Sequence, residues 1–469
     1  MSERTLSVLD GSTFVVSDRL GDVRADEGRE HGFFSEDTRF VSRWVLRAGP
    51  DPLLLLSLDQ ASHFDARFFL TPSVRPEDQA PSSVVRRRLI DHVWIEEIVL
   101  TNHLHKPSRT LVAMELDTDF ADLFEVKSGA VAACEVSCEL DDRTVRLTYE
   151  LGDFLRSVTI ASSEPAVTSR AGLAYTVDLA PGAQWSTTLT VTPLAQQRAV
   201  TFARRVARGR IEDLSRSKSA ELEAWRAGAP ALECELPALA RTYRASLSDL
   251  AVLRIHPDLT ADATLPAAGL PWFMAMFGRD TLITSIQTLP YLPGLGATTL
   301  RVLAARQASS RDDIHDREPG KILHELRFGE LTARGELPYS PYYGTADATP
   351  LFLVLLDEYH RWSGEDALVA ELEPNARAAL AWITESGDLD GDGYVEYQRR
   401  NTETFAFPTA SRPQAWSAGA PLLLLTTLLK LAPDDTEAQA TIPGGVGHVV
   451  LRPAARPSVV ASRLATATA

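Results

Sequence analysis

Residues 270–282, LPWFMAMFGRDTL, set Trp272, Phe273, Met274, Met276 and Phe277 directly before Arg279 and Asp280. A neighbouring guanidinium and carboxylate can grip vicinal hydroxyls, one donating in a fork and the other accepting. Aromatic side chains ahead of such a pair supply the apolar walls against which a sugar ring packs. A plainer role fits the same residues. Gly278 permits a close turn, and Asp280 stands where it could cap the helix continuing as TLITSIQTL, paired with its arginine neighbour.

Further along, GKILHELRFGEL interleaves His324, Glu325, Arg327 and Glu330 with Ile322, Leu323, Leu326 and Leu331. His324-Glu325 lacks the second histidine four residues on that a helical zinc motif needs. The spacing suits either the polar face of a short helix or a set of ligand-facing groups. GELPYSPYYGTADATPLFLVLLDEY places Tyr343 and Asp347 before an apolar helix, where Asp347 caps that helix or faces a ligand with Tyr343. DLDGDGYVEYQRR, which contains Glu396, has the look of a calcium loop. The twelfth position from Asp388 is Arg399 rather than an acid, so the match fails and a turn is expected. Trp416 borders an apolar helix, where core packing is its default.

These residues sit in a chain of 469 with 45% hydrophobic and 23% charged residues and a formal net charge of −16. An acidic surface repels phosphate backbones, so nucleic acid is an unfavoured partner, and a neutral sugar is compatible. Cys134, Cys138 and Cys234 form no CxxC spacing, and their odd count argues against a disulfide framework. A reducing cytoplasm is the expected location, since MSERTLSVLDG lacks the pattern of a signal peptide. The longest apolar runs are too short to cross a bilayer, so no membrane is expected. No cofactor and no metal is called for.

The elements that must position the chemistry change character along the chain. Residues 1–200 alternate apolar and polar residues over strand lengths, as in RFVSRWVLRAG, VWIEEIVLTNHL and RTVRLTYEL, with Asp10-Gly11 and Pro181-Gly182 as turns. An antiparallel β-sandwich is expected there. Residues 201–230 are charged helix formers ending at Gly-Ala-Pro, the pattern of a linker helix. From 231 to 440 the period turns helical, with Leu236, Leu239, Tyr243, Leu247 and Leu250 on one face. Stacked helix pairs in an α/α toroid are expected. Residues 441–469 show no periodicity and are expected to form a poorly packed tail.

Taken together and in this order, GLPWFMAMFGRDTLITSIQTL, REPGKILHELRFGEL, GELPYSPYYGTADATPLFLVLLDEY, DLDGDGYVEYQRR and RPQAWSAGAPLLLL resemble the bacterial glycogen-debranching-type, amylo-α-1,6-glucosidase-like family. EHGFFSEDTRF and TDFADLFEV look like that family's N-terminal domain. The resemblance implies a multidomain β + α protein, with a β-sandwich before an (α/α)6 barrel. It also implies inverting hydrolysis of α-glucosidic bonds in an α-glucan or small α-glucoside, without a cofactor. It places Arg279 and Asp280 on a terminal glucose beside Trp272 and Phe273. His324, Glu325, Arg327, Glu330, Tyr343, Asp347 and Glu396 match motifs that surround the family's pocket.

The sequence departs from that pattern after DGDGYVEYQRR. The family continues with an Asn-Gln-Gly-Trp-Lys-Asp-Ser type segment whose aspartate is the expected general acid. Here NTETFAFPTASRPQAW follows, joining Arg400 to the late Pro413-Gln414-Ala415-Trp416 motif. Several helices of the barrel are thus expected to be missing. Inverting hydrolysis needs an acid and a base carboxyl roughly 6.5–9.5 Å apart. Only Asp347 and Glu396 remain as weak catalytic candidates. The expectation is an incomplete (α/α)6-barrel-like domain with impaired hydrolysis. The alternative is a non-catalytic α-glucan-binding or regulatory protein.

Overall fold

The computed structural model describes residues 5–27, 30–60, 62–73, 80–195, 210–256, 263–389, 391, 395, 400, 438–442 and 447–452. The N-terminal half is antiparallel throughout. An eight-stranded sheet runs in the order 137–140, 144–151, 154–162, 184–195, 94–102, 82–90, 65–72 and 53–59. A five-stranded sheet has the order 167–169, 172–179, 108–117, 43–48 and 23–24, and a four-stranded sheet joins 5–10, 13–18, 32–35 and 38–41. Their inward residues share one apolar core that includes Phe33, Trp44, Phe68, Trp94, Ile160 and Val191. Alternation puts every second residue inside, as in Trp94–Asn102 and Thr144–Leu151. The expected sandwich is present.

One charged network lies inside it. Glu96 accepts from Arg86 Nε at 2.6 Å, Arg88 Nε at 2.9 Å, Trp44 Nε1 at 3.0 Å and Trp94 Nε1 at 3.2 Å. Arg86 reaches on to Asp22 at 2.7 Å. A buried carboxylate survives only with partners of this quality.

A short helix α1 (Leu123–Ser128) leaves the sandwich, with Asp122 as N-cap in a capping box with Glu125. Helix α2 (Ile211–Ala227) occupies the stretch expected as a linker helix. Helix α3 (Pro237–Val252) starts on a proline at its first turn. Then come α4 (Gly278–Thr288), α5 (Pro293–Ala304), a one-turn α6 (Glu330–Ala333), α7 (Ala348–Ser363) and α8 (Asp366–Trp382). Helix α4 packs against both α5 and α7, and α7 against α8. Being covered on several sides, α4 buries even its polar residues. Thr281 donates to the Pro266 carbonyl at 3.1 Å, and Ser285 to Thr299 at 2.9 Å. The fold is a β-sandwich followed by stacked helices. A second apolar core runs without a break from Leu9, Phe14 and Phe34 of the strands to Leu282, Leu300 and Phe352 of the helices.

Two sequence expectations need correction. The stretch around His324–Leu331 is not a single short helix. Glu325–Leu326 form a two-residue strand paired with Met276–Phe277, and only Glu330–Ala333 turn into helix. Backbone pairing to a partner far away in sequence overrides the local helical spacing here. The expected C-terminal tail also contributes structure. Gly447–Arg452 pairs with Ala231–Cys234 and with Ala438–Ile442 in a three-stranded sheet.

Candidate active site

The first residues of α4 and α7 meet. A Cβ on Gly278 would lie 2.0 Å from the Leu323 carbonyl oxygen and 3.4 Å from Ala348 Cβ. Only glycine allows this approach. The Gly278 N–H donates to the His324 carbonyl at 2.9 Å, fixing the start of α4 against the His324 strand.

Arg279 therefore projects beside the N-terminus of α7. Its guanidinium donates to Asp347 Oδ2 at 3.3 Å and lies 3.8 Å from Asp280 Oδ2. Thr345 donates its hydroxyl to the other Asp347 oxygen. Arg279 and Asp347 side chains are 45% and 43% exposed, whereas Asp280 is only 14% exposed. Desolvation accordingly pushes the Asp280 carboxyl above its usual range, against the pull of Arg279 and His324. Asp280 does not cap the helix, because Phe277 holds the N-cap position and Asp280 stands in the first turn. Asp347 holds the N-cap position of α7 without a side-chain cap bond.

His324 sits edge-on between Phe277, with centroids 5.9 Å apart, and Tyr342 at 6.0 Å. Its Nδ1 is buried with no hydrogen-bond partner. Burial lowers the imidazole's pKa, and Glu325, Arg279, Asp280 and Asp347 are the charges acting on it. A neutral imidazole, a guanidinium and two carboxylates here offer donors and acceptors to hydroxyl groups.

The remaining candidates lie elsewhere. Arg327 is 2% exposed and uses its donors on Glu325 at 2.6 Å, on Asp37 at 2.7 Å and on the Trp272 carbonyl at 2.7 Å. Arg327 and Glu325 thus serve the joint between the two halves. Glu330 pairs with Arg334 at 3.1 Å on α6. The Tyr343 hydroxyl donates to the Arg306 carbonyl at 2.6 Å, with Arg317 over its ring. The Trp272 ring packs half-buried against the helical core. Phe273 meets Phe277 edge-on at 5.7 Å and carries the Lys127 ammonium 5.0 Å from its centroid. Glu396 and Trp416 lie outside the described residues.

Residues of the sandwich that reach this region carried no single-residue signal. Asp37, Asp122 and Lys127 all come from it. Asp122 Oδ1 accepts from Phe124 N at 2.9 Å within α1, and its Oδ2 from Leu331 N at 3.0 Å across the joint. Lys127, on the same helix, is pushed down to about 8 by burial, with Arg327 acting the same way. The one readable clue is Glu36-Asp37, an acidic pair in a two-residue hairpin turn.

Asp10, Asp91 and His92 stand close enough to hold a metal ion. The Lys218 ammonium fills the cationic role there, at 2.8 Å from Asp10 and 3.3 Å from Asp91. Cys134, Cys138 and Cys234 are free thiols. Among the described residues, no helix is long and apolar enough to cross a membrane.

No curated protein matches the chain. Among solved structures, a provisionally named kojibiose phosphorylase from the human microbiome aligns with TM-score 0.49 and 10% identity, covering 80% of this chain and 52% of that one. A family GH92 α-mannosidase from Bacteroides thetaiotaomicron aligns with TM-score 0.36 and 8% identity, covering 78% of this chain and 50% of that one. The chain thus spans about half the length of either. Residues 8–190 match the family model described as the N-terminal domain of (some) glycogen debranching enzymes.

Proposed function

We propose that the chain is a glycogen-debranching-type glycoside hydrolase that grips the terminal unit of an α-glucan or small α-glucoside but turns it over poorly. The observation that carries this reading is one guanidinium, Arg279, flanked by two carboxylates, Asp280 and Asp347, beside the unpartnered Nδ1 of His324. Charged groups that fork onto vicinal hydroxyls in a partly desolvated setting are what sugar recognition requires. Phe277 and Tyr342 supply the aromatic surroundings.

Hydrolysis of the α-1,6 bond with inversion asks for more. It needs a protonated carboxyl at the leaving oxygen and a second carboxylate on the opposite face, roughly 6.5–9.5 Å away. The motif expected to carry the acid is missing from the sequence after Arg400. Asp280 and Asp347 both lean on the same guanidinium, which suits holding a ring better than attacking it. Binding without efficient cleavage follows.

The test is affinity electrophoresis in glycogen, with glucose release from isomaltose, panose and limit dextrin measured in parallel. The expected result is retardation that Asp280→Ala abolishes, with only trace glucose. Robust glucose release lost in Asp280→Ala would overturn the impaired-turnover part. Absence of both retardation and release would overturn the whole reading.

A further inference from the structure

We infer that Asp37 of the sandwich is a positioning residue for the candidate site, acting through Arg327 to fix where His324 and Arg279 stand. The inference rests on the α-glucan reading above for what the site binds, but not for the linkage itself. Asp37 gives one oxygen to Arg327 at 2.7 Å and the other to the Phe328 N–H at 2.9 Å. It thus holds two consecutive residues just beyond the Glu325–Leu326 strand. Its backbone is left-handed, with φ of 62°, a conformation that aspartate tolerates better than most residues.

Arg327 carries the link onward. Its Nε donates to Glu325 at 2.6 Å and another of its nitrogens to the Trp272 carbonyl at 2.7 Å. A guanidinium holds its donors in one rigid plane. Three segments distant in sequence therefore share that plane: the sandwich turn, the strand after His324 and the turn leading into α4. Two rings pack against it, with the guanidinium carbon 5.4 Å from the Phe124 centroid and 5.1 Å from that of Phe277. Asp37, Arg327 and Glu325 are all buried. Burying two carboxylates on one guanidinium adds little stability over an apolar joint. What it adds is registry.

From Glu325 the path to the site runs through backbone hydrogen bonds. Glu325 stands opposite Phe277 in the two-residue ladder. His324 N donates to the Tyr342 carbonyl at 2.7 Å, and Tyr342 N to the Glu325 carbonyl at 2.9 Å. The Gly278 N–H donates to the His324 carbonyl at 2.9 Å, and the next residue is Arg279. Other contacts cross the same joint, such as His63–Asp249 at 2.6 Å and Lys218–Asp10 at 2.8 Å. Those land on α3 and α2, away from the site. Asp37 lands on the segment that carries it.

Two substitutions loosen the link without removing a side chain. Asp37→Asn keeps the size and the left-handed turn, but turns an NH2 group toward one of the two N–H donors. Arg327→Lys keeps the charge and loses the planar fork, so the three segments are no longer held in one plane. Either change should let the His324 strand shift against Phe277. His324 lies edge-on to Phe277 at 5.9 Å and to Tyr342 at 6.0 Å, so the two rings make its proton resonances a sensor of that shift.

The experiment is NMR of the histidine ring protons of the full chain, below the melt of each variant, with glycogen affinity electrophoresis alongside. His324→Gln identifies the His324 signal by its loss. Asp37→Asn and Arg327→Lys are expected to displace that signal and to weaken glycogen affinity about tenfold, the worth of one hydrogen bond lost to misplacement. Asp249→Asn, which breaks a joint contact not aimed at the site, should leave both as in wild type. If Asp37→Asn does not fold, Arg327→Lys decides. An unmoved His324 signal overturns the linkage. Equal displacement in Asp249→Asn also overturns it, since Asp37 would then be one structural contact among several. A displaced signal with undiminished retardation overturns the positioning role. Where wild type itself is not retarded, the sugar reading fails, and a displaced signal confined to Asp37→Asn and Arg327→Lys still supports the linkage.

Discussion

Arg327 and Asp37, 290 positions apart, form a 2.7 Å ion pair with both side chains buried. Arg327 also binds Glu325 and the Trp272 carbonyl, so one guanidinium ties the Glu36-Asp37 turn to the segment leading into α4. Removing one partner of such a pair strands a buried charge at a cost of about 3–5 kcal/mol. Asp37→Ala is therefore expected to destabilise by that amount and to split a single melt into two. The double variant Asp37→Ala, Arg327→Met should be less destabilised than the sum of the singles. Scanning calorimetry of the three proteins decides it, and additive losses would mean the pair is not coupled.

Asp122 gives the same joint a pH response. Burial, with Asp37 and Glu125 as further like charges, raises its carboxyl from 3.8 to about 7, against the bonds from Phe124 and Leu331. The folded protein then holds a proton that the unfolded chain releases from about pH 4 upward. Stability should fall as pH rises from about 4 to 7, by at most about 1.4 kcal/mol per unit, and level off above. Lys127, lowered to about 8, stays charged across that window and adds no slope. Melting temperatures of wild type and Asp122→Asn between those limits check this. Wild type should lose stability relative to Asp122→Asn as pH rises, and a constant gap would count against it.

Much of this fold is legible in the sequence, and the reasons are local. Trp94–Asn102 and Thr144–Leu151 alternate cleanly because one face of each meets the core. Leu247 and Leu250 of α3 recur at helical spacing because one side of that helix is covered. The Arg279-Asp280 motif was visible because glycine, charge and aromatic residues adjoin in sequence. What escaped is long-range. Two-residue strands such as Met276–Phe277 have no period to detect. Arg86 and Arg88 alternate like surface residues, yet face inward to Glu96. Asp37, Asp122 and Lys127 gain their roles only from segments about 150–290 positions away, as in the Asp122–Leu331 contact 209 positions apart.

Gly278 links the fold to the candidate site more tightly than any charged residue. With a Cβ placed 2.0 Å from the Leu323 oxygen, Gly278→Ala must push α4 away from the His324 strand. The Gly278–His324 backbone bond would lengthen, moving Arg279 relative to Asp347. A loss of about 2–4 kcal/mol is expected, typical of a steric clash with rigid backbone. Glycogen retardation should vanish even at temperatures where the variant stays folded. Denaturant melts paired with affinity gels test both halves, and wild-type retardation in a folded Gly278→Ala would contradict the placement of the site.

The interior of the sandwich supplies the sharpest stability forecast. Burial alone would raise the Glu96 carboxyl, but Arg86 and Arg88 overcome that and hold it below its usual range. A group depressed in the folded state contributes stability above its unfolded pKa of 4.5 and loses it as pH falls. Glu96→Gln removes the charge, keeps the shape and leaves two fully buried guanidiniums, of which Arg86 keeps its ion pair with Asp22. Its cost should match that of breaking a buried pair, about 3–5 kcal/mol at neutral pH. Because wild type itself loses this contribution in acid, the gap to Glu96→Gln should narrow as pH drops below about 4. Urea unfolding monitored through Trp44 and Trp94 fluorescence reads this directly, since both indoles donate to the same carboxylate. A gap that is small at neutral pH, or that widens in acid, would show that the two arginines do not depend on Glu96 for their burial.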